Sequence, residues 1–299
     1  MTTEHDEHRS QSALAPAQPA SSGGAAPIGI FDSGLGGLSV LRAVRTQLPH
    51  EALLYVADSR HAPYGSRDNE FITERTLAIG EWLVSQGAKA LVVACNTATA
   101  ESIALAREQL SIPIIGVEPG IKPAAGLSKS RIAGVLATQV TLRSERFRSL
   151  IVRYAADCHF ICQPGLGLVE AVERCEIDTA EVRALLASYL EPMMKAGADT
   201  LVLGCTHYPF LDTLIRDIVG DKLALVDTSV AIARQLERVL DANGLRAPDS
   251  VVPSPPKLYS TDDGTHLRRL ASTLLRLDAS VQQVSIEARG ASRDQAHVA

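Results

Sequence analysis

Two cysteines occupy matching positions in two similar stretches of this chain. Residues 87–97 read GAKALVVACNT and residues 197–207 read GADTLVLGCTH, so each stretch is an apolar run that ends at a cysteine. The cysteines are Cys95 and Cys205, and self-similarity of this kind indicates two related halves of one fold. Because two thiols can act as acid and base on opposite faces of one atom, the duplication points to proton transfer.

Polar residues follow each cysteine directly, namely Asn96 and Thr97 in the first stretch and Thr206 and His207 in the second. A thiol at the start of a helix lies near free backbone amides, so we expect a lowered thiol pKa. The side chains and amides beside it could bind a polar ligand, and an imidazole next to a thiol could relay a proton. The alternative is a buried structural cysteine with helix-capping neighbours, but the repetition in both halves favours a function.

Asp32 and Ser33 end the first predicted strand, and a glycine-rich turn follows at residues 34–37. The glycine spacing matches neither a dinucleotide-binding fingerprint nor a P-loop, and a carboxylate here would repel phosphate. Asp32 therefore suits an ammonium group, with simple helix capping as the alternative. A second turn contains Tyr64 and Gly65 and could present backbone amides to a carboxylate or be an ordinary turn.

The other three cysteines, Cys158, Cys162 and Cys175, do not suggest a metal site. The chain has no CxxC pair, and Cys158 and His159 would point to opposite faces of a strand. We therefore expect no metal site and assign these three cysteines to the core. The chain also lacks the GxSxG elbow of a serine hydrolase, and no lysine lies in a recognisable pyridoxal-phosphate context.

The segments that must position these residues alternate between short apolar runs and helical patterns, which is typical of a parallel sheet covered by helices. One of the helices is expected at 142–153. In open α/β sheets ligands bind beyond the carboxyl ends of the strands, which is where both cysteines fall. We predict strands at 28–31, 53–57, 90–94, 112–117, 132–137, 159–162, 200–203, 224–226 and near 258–259.

The composition is that of a globular protein. With 299 residues, of which 46% are hydrophobic, the chain is long enough for two domains with a sizeable core. The net charge is −5 and the basic residues are spread along the chain, which argues against nucleic acid as a partner. No apolar stretch approaches the ~20 residues of a membrane span. Residues 1–26 resemble a disordered tail rather than an export signal, so we expect a cytoplasmic protein with reduced cysteines.

Five motifs stand in order along the chain: FDSGLGG (31–37), PYG (63–65), ACNTAT (94–99), GVEPG (116–120) and GCTHYP (204–209). Together they resemble the glutamate racemases of the aspartate/glutamate racemase family. The resemblance covers about residues 27–287, and several motifs at compatible spacings are far more specific than any one alone. Aspartate racemases typically carry Glu after the second Cys-Thr, whereas this chain has His207, which favours glutamate as the substrate.

The resemblance implies an α/β fold of two pseudosymmetric three-layer domains with mainly parallel sheets and an active site in the cleft between them. We expect the first domain to comprise residues 27–118 and 228–287 and the second residues 119–227. A frayed tail is expected at 288–299. The family needs no cofactor, so we expect none here, and a homodimer is compatible with the resemblance.

The resemblance also implies a role for each site residue. Cys95 and Cys205 would be the acid/base pair, with Cys205 acting on L-glutamate and Cys95 on D-glutamate. Asp32 and His207 would support the two thiols. The implied substrate-binding positions are Asp32, Ser33, Tyr64, Gly65, Asn96, Thr97, Thr206 and His207.

An acidic residue of the family supports the second cysteine, and its counterpart here is either Glu170 or Glu173, of which we favour Glu170. The predicted activity is a cofactor-independent interconversion of L-glutamate and D-glutamate that provides D-glutamate for peptidoglycan, and thus for cell-wall biogenesis and cell shape. Two alternatives stay open, racemisation of another small amino acid such as aspartate and a non-catalytic binding protein on the same fold. The presence of both motif cysteines argues against the second.

Overall fold

The structure is a computed structural model that describes residues 24–278 and 280–288. Its strands form two sheets, and every strand pair within them is parallel. The first sheet contains β1 (Ile28–Asp32), β2 (Leu53–Ala57), β3 (Ala90–Val93), β4 (Ile114–Gly116), β9 (Lys257–Ser260) and β10 (Val281–Gln283). The second contains β5 (Ile132–Ala137), β6 (His159–Pro164), β7 (Thr200–Gly204) and β8 (Ala224–Val226).

The strand order is β10-β9-β2-β1-β3-β4 in the first sheet and β6-β5-β7-β8 in the second. β1 and β5 are therefore interior strands, and both read as nearly continuous apolar runs because helices cover the two faces of a parallel sheet. β3 and β7, which lead to the two cysteines, pair with these interior strands. The predicted α/β fold with mainly parallel sheets is confirmed.

Helices connect the strands, as the alternating pattern predicts. The prediction of one helix at 142–153 is wrong, because Ser144 adopts an extended conformation (φ −64°, ψ 146°) between two short helices. The hydroxyls of Thr138 and Ser144 accept hydrogen bonds from the amides of Thr141 and Phe147, so each helix has its own N-cap. The helices are α1 (Leu38–Gln47), α2 (Asn69–Ser85), α3 (Asn96–Gln109), α4 (Ile121–Leu127), α5 (Gln139–Arg143), α6 (Glu145–Tyr154), α7 (Leu168–Glu173), α8 (Ala180–Lys195), α9 (Asp212–Val219), α10 (Ser229–Ala242) and α11 (Thr265–Leu275).

Each sheet packs against apolar side chains on both faces. In β1, Ile30 and Phe31 belong to different hydrophobic clusters, since consecutive strand residues point to opposite faces. In β5, Val135 and Leu136 are divided between two clusters in the same way. Each sheet is thus the middle of three layers, as predicted.

The predicted tails at 1–26 and 288–299 lie outside the described residues, except for 24–26 and 288. Within that part, the carbonyl of Gly24 accepts a hydrogen bond of 2.8 Å from Lys89 Nζ. Among the helices described, none combines the length and the apolar character needed to cross a membrane. The proposed boundaries of the two domains stay a prediction.

Candidate active site

One cavity collects residues that follow strands of both sheets. Its volume is about 160 Å³, which resembles the volume of roughly 150 Å³ of a protein cavity that can hold benzene. The parallel arrangement brings two cysteines from distant parts of the chain to one small space. The predicted site residues that line it are Ser33, Tyr64, Gly65, Cys95, Asn96, Thr97, Glu170, Cys205, Thr206 and His207.

Cys95 is 5% exposed and is the N-cap residue of α3. Its Sγ donates to Ser33 Oγ at 3.3 Å and accepts from the Ala98 amide at 3.4 Å. Burial, and then the nearby charge of Asp32, raises the pKa of this thiol from 9.0 to about 12. The prediction of a lowered pKa at the helix start is therefore wrong for Cys95, because desolvation outweighs the amide and the hydroxyl that favour the thiolate.

Asp32 is fully buried at the end of β1 and lies outside the lining of the cavity. One of its oxygens, Oδ2, accepts a hydrogen bond of 2.7 Å from the Gly37 amide. The other, Oδ1, has no hydrogen-bond partner among the described residues, and burial raises the pKa of the carboxyl. A buried oxygen of this kind is costly unless a donor reaches it, and the predicted contact of Asp32 with an ammonium group stays a prediction.

Cys205 is 6% exposed, and its Sγ lies 3.6 Å from Nδ1 of the buried His207. The other ring nitrogen, Nε2, lies 2.5 Å from Oε1 of Glu173. Burial alone would lower the pKa of His207, but its contacts with Cys205 and Glu173 raise it well above its ordinary value. The imidazole can therefore hold a proton beside the second thiol.

Glu173, and not Glu170, contacts His207. Both belong to the short helix α7, but the exposed Glu170 lines the cavity, whereas Glu173 Oε1 also accepts a hydrogen bond of 2.7 Å from the Leu35 amide. The contact with His207 favours Glu173 over Glu170 as the supporting acid, and the supporting role itself stays a prediction. Glu170 and Glu173 are three residues apart on α7, so their side chains are neighbours on the same face of the helix. Only the position of His207 shows which of the two glutamates contacts it.

The glycine-rich turn after β1 packs directly against His207 and Glu173. The Gly36 amide nitrogen lies 3.2 Å from His207 Nε2, and Ser39 Oγ donates to the carbonyl of Thr206 at 3.1 Å. A Cβ atom on Gly36 would collide with His207, and one on Gly34 would collide with Glu173. The glycines therefore permit a close approach of backbone to side chains, which explains a turn that lacks a phosphate-binding spacing.

A buried carboxylate supports the predicted turn at Tyr64, and sequence reasoning missed it. Tyr64 is 1% exposed, and its hydroxyl donates to Asp58 Oδ2 at 2.6 Å. Burial, and then the charge of Asp58, raises the pKa of Tyr64 well above 10.0, so the phenol stays a donor. Asp58 directly follows β2, so the rule that selects strand ends could have found it.

Part of the cavity wall was also missed, including Ser66, Thr138, Gln139 and Leu166. The hydroxyl oxygens of Thr138 and Thr97 lie 3.0 Å apart and join the segments that follow β5 and β3. Thr138 stands directly after β5, so the same strand-end rule would have selected it. Residues that follow strands of the first sheet and residues that follow strands of the second sheet therefore both line the cavity.

Within residues 24–278 and 280–288, no group of three or more His, Cys, Asp or Glu side chains is arranged to hold a metal ion. Cys158 is buried and Cys175 is half-buried, but Cys162 is exposed. The assignment of all three to the core is wrong for Cys162, because β6 is an edge strand of its sheet.

The chain is thus an α/β protein in which two parallel sheets each place a buried thiol at a shared cavity. The sequence model of the Asp/Glu/Hydantoin racemase family matches residues 35–236. The chain belongs to this family, as its motifs predicted, and is an isomerase of the racemase type.

Individual relatives cover nearly the whole chain. A glutamate racemase from Ralstonia nicotianae is 56% identical over 261 residues, which are 87% of this chain and 94% of the relative. The crystal structure of a glutamate racemase from Bacillus anthracis is 32% identical with a TM-score of 0.80 and covers 88% of this chain and 99% of that one. The Escherichia coli glutamate racemase, solved with L-glutamate and the activator UDP-MurNAc-ala, is 32% identical with a TM-score of 0.78 and covers 88% and 100%.

Proposed function

We propose that this protein interconverts L-glutamate and D-glutamate, with Cys95 and Cys205 as its acid/base pair and without a cofactor. The observation that carries the proposal is that both thiols line one cavity of about 160 Å³. The resemblance to glutamate racemases over 87% of the chain supports the choice of substrate.

The reaction needs one base and one acid on opposite faces of the α-carbon. From L-glutamate, the Cys205 thiolate removes the α-proton, the electron pair moves into the α-carboxylate, and the Cys95 thiol delivers its proton to the other face. From D-glutamate the two thiols exchange these roles. Because the α-proton is a very weak acid, buried donors must stabilise the charge that develops on the carboxylate.

The polar groups of the cavity suit the three charged groups of glutamate. The Ser33 hydroxyl would take the ammonium group next to Cys95, and the buried carboxyl of Asp32, which lies outside the cavity lining, would favour this positive group by its charge. The amides and hydroxyls that follow the strands would take the carboxylates, because backbone donors at helix starts favour anions. The residues assigned to this role are Tyr64, Gly65, Asn96, Thr97, Thr206 and His207.

His207 and Glu173 would serve the second thiol only. The protonated imidazole of His207 would offset negative charge on Cys205 Sγ, 3.6 Å away. Glu173 would fix the orientation of the ring through its 2.5 Å contact with Nε2. We assign to Glu173 the supporting role that the sequence had given to Glu170.

In the cell, we propose that the protein works in the cytoplasm and provides D-glutamate for peptidoglycan, and through it for cell-wall biogenesis and cell shape. A homodimer is a further expectation. The D-enantiomer is the product that a cell-wall pathway would draw away, since the L-enantiomer is the ordinary amino acid.

Incubation of the purified protein with L-glutamate in D2O, without added cofactor, tests the activity. Loss of circular dichroism and incorporation of deuterium at the α-carbon are expected together, and the absence of both would refute the proposal. L-aspartate serves as the comparison substrate, and faster conversion of aspartate would change the assigned substrate. Cys95→Ala and Cys205→Ala are each expected to abolish racemisation, with Cys162→Ala as a matched control at an exposed thiol.

A further inference from the structure

A buried arginine outside the cavity is linked to its wall through one carboxylate. Arg75, on α2, is 4% exposed. It binds Asp58 with two nitrogen atoms, Nε to Oδ2 at 3.0 Å and Nη2 to Oδ1 at 2.9 Å. Asp58 is also the acceptor for the Tyr64 hydroxyl at 2.6 Å and lies 2.9 Å from His61 Nδ1.

The same arginine reaches the end of the described chain. Its third nitrogen, Nη1, donates to the carbonyl of Ile286 at 2.5 Å. Ile286 follows β10 and is itself buried among the apolar side chains of the first sheet. A continuous series of contacts therefore runs from Ile286 through Arg75 and Asp58 to Tyr64, whose ring lines the cavity.

Arg75 keeps the carboxyl of Asp58 ionised. Burial alone would raise the pKa of this carboxyl, but hydrogen bonds and charge from Arg75, with help from Tyr64 and His61, lower it below its usual value. An ionised carboxylate accepts the phenol hydrogen bond more strongly than a neutral one does. Without Arg75, Asp58 would be a buried group with an uncompensated charge.

We infer that Arg75 is a positioning residue for substrate binding, which acts through Asp58 to fix Tyr64 and the turn at 64–66 that lines the cavity. The inference rests on the proposed glutamate racemase activity and deepens it, because it assigns part of the substrate affinity to a residue that does not touch the cavity. It also gives the segment around Ile286 a place in the support of the site. A lysine cannot replace the planar fork of Arg75, since it lacks the paired donors that grip both carboxylate oxygens.

The first experiment compares Arg75→Lys with wild type in both directions of racemisation. Loss of one charge-assisted contact to a positioning carboxylate is expected to raise KM for glutamate roughly tenfold, while kcat changes less than about threefold. Arg107→Lys is the control, because among the described residues the side chain of Arg107 donates only to the Ile114 carbonyl, at 3.3 Å, and it lies outside the substrate cavity. An unchanged KM in Arg75→Lys, with wild-type racemisation intact, would overturn the inference but leave the proposed function standing.

A double-mutant cycle separates positioning from a general loss of stability. Tyr64→Phe removes the phenol that Asp58 holds, so a second substitution of Arg75 to Lys is expected to add little to its KM. Effects on KM that multiply independently would show that Arg75 does not act through Tyr64. Millimolar guanidinium added to Arg75→Ala is expected to lower KM again, and failure of this rescue counts against the inference.

A chain that ends after Ser285 gives a test that does not alter α2. It removes the Ile286 carbonyl and leaves the Arg75–Asp58 pair in place, so a smaller rise in KM, of roughly threefold, is expected. The dissociation constant of D-glutamate, measured by titration calorimetry on each variant, provides a readout that does not depend on turnover. Unchanged affinity in both this chain and Arg75→Lys would refute the inference.

Discussion

The surroundings of Cys95 and Cys205 differ, although the stretches that contain them are near copies in sequence. Cys95 lies beside a hydroxyl, from Ser33, and a buried carboxyl, from Asp32. Cys205 lies beside the imidazole of His207, whose other ring nitrogen contacts the carboxylate of Glu173. Each thiol lies one or two residues beyond the end of its strand, while different elements supply the polar neighbours.

The origin of these neighbours explains the difference. Ser33 and Asp32 come from the end of the adjacent strand β1, whereas His207 comes from the same loop as its thiol. The result is a thiol with a pKa raised to about 12 at position 95 and a proton-holding imidazole next to position 205. At neutral pH we therefore expect the protein to keep a neutral thiol on the Cys95 side, which is the arrangement that the proposed reaction requires to start from L-glutamate.

The largest expected effect comes from removing either thiol. Racemisation is expected to fall by at least about 100-fold in both Cys95→Ala and Cys205→Ala, because each variant lacks one of the two proposed acid/base groups. Residual deuterium exchange at the α-carbon should then be confined to L-glutamate in Cys95→Ala and to D-glutamate in Cys205→Ala, as NMR in D2O would show. If both variants exchanged the same enantiomer, the assignment of one thiol to each face would be wrong.

A smaller effect is expected at the turn that packs against the Cys205 side. Gly36→Ala would push a methyl group into His207, and a displacement of about 1 Å in such a group can cost roughly 100-fold in kcat. Gly126→Ala is the control, since among the described residues no atom beyond its chain neighbours and the nearby backbone of its own helix lies within 4 Å of a Cβ at that position. It should keep full activity and gain up to about 1 kcal/mol in the free energy of unfolding, because alanine is the better helix former. Equal kcat values in the two variants would contradict a tight contact at His207.

The smallest expected effect concerns stability on the Cys95 side. The folded protein keeps the Cys95 proton up to about pH 12, whereas the unfolded chain loses it above about pH 9.0. The contribution of this thiol is therefore complete below pH 9 and declines as the pH rises toward 12, by about 1.4 kcal/mol per pH unit. Urea denaturation between about pH 8 and pH 10.5 should show a steeper loss of stability in wild type than in Cys95→Ala. Parallel curves would mean that burial does not hold this thiol neutral.

The alternation of apolar runs and helical patterns predicted the fold, and the residues that follow the strands predicted most of the cavity lining. Parallel strands place their carboxyl ends at one edge of a sheet, so residues such as Ser33, Cys95 and Thr206 could be selected from position alone. The same rule selects Asp58 and Thr138, although neither belongs to the five sequence motifs.

What the sequence could not provide depends on burial and on contacts between distant segments. The pKa of Cys95 is set by desolvation, which a helix-start pattern does not reveal. The choice between Glu170 and Glu173 depends on where His207 lies relative to α7, and three residues of spacing cannot rank them. The contact of Arg75 with the Ile286 carbonyl joins residues 211 positions apart and has no local sequence pattern at all.

The unequal surroundings of the two thiols have a consequence for the proposed reaction as a whole. L-glutamate and D-glutamate are mirror images with the same free energy in water, so their equilibrium constant is one. The ratio kcat/KM must then be equal in the two directions, however different Cys95 and Cys205 are. The asymmetry can appear only as paired changes in kcat and KM, and any accumulation of one enantiomer must come from the reactions that consume the other.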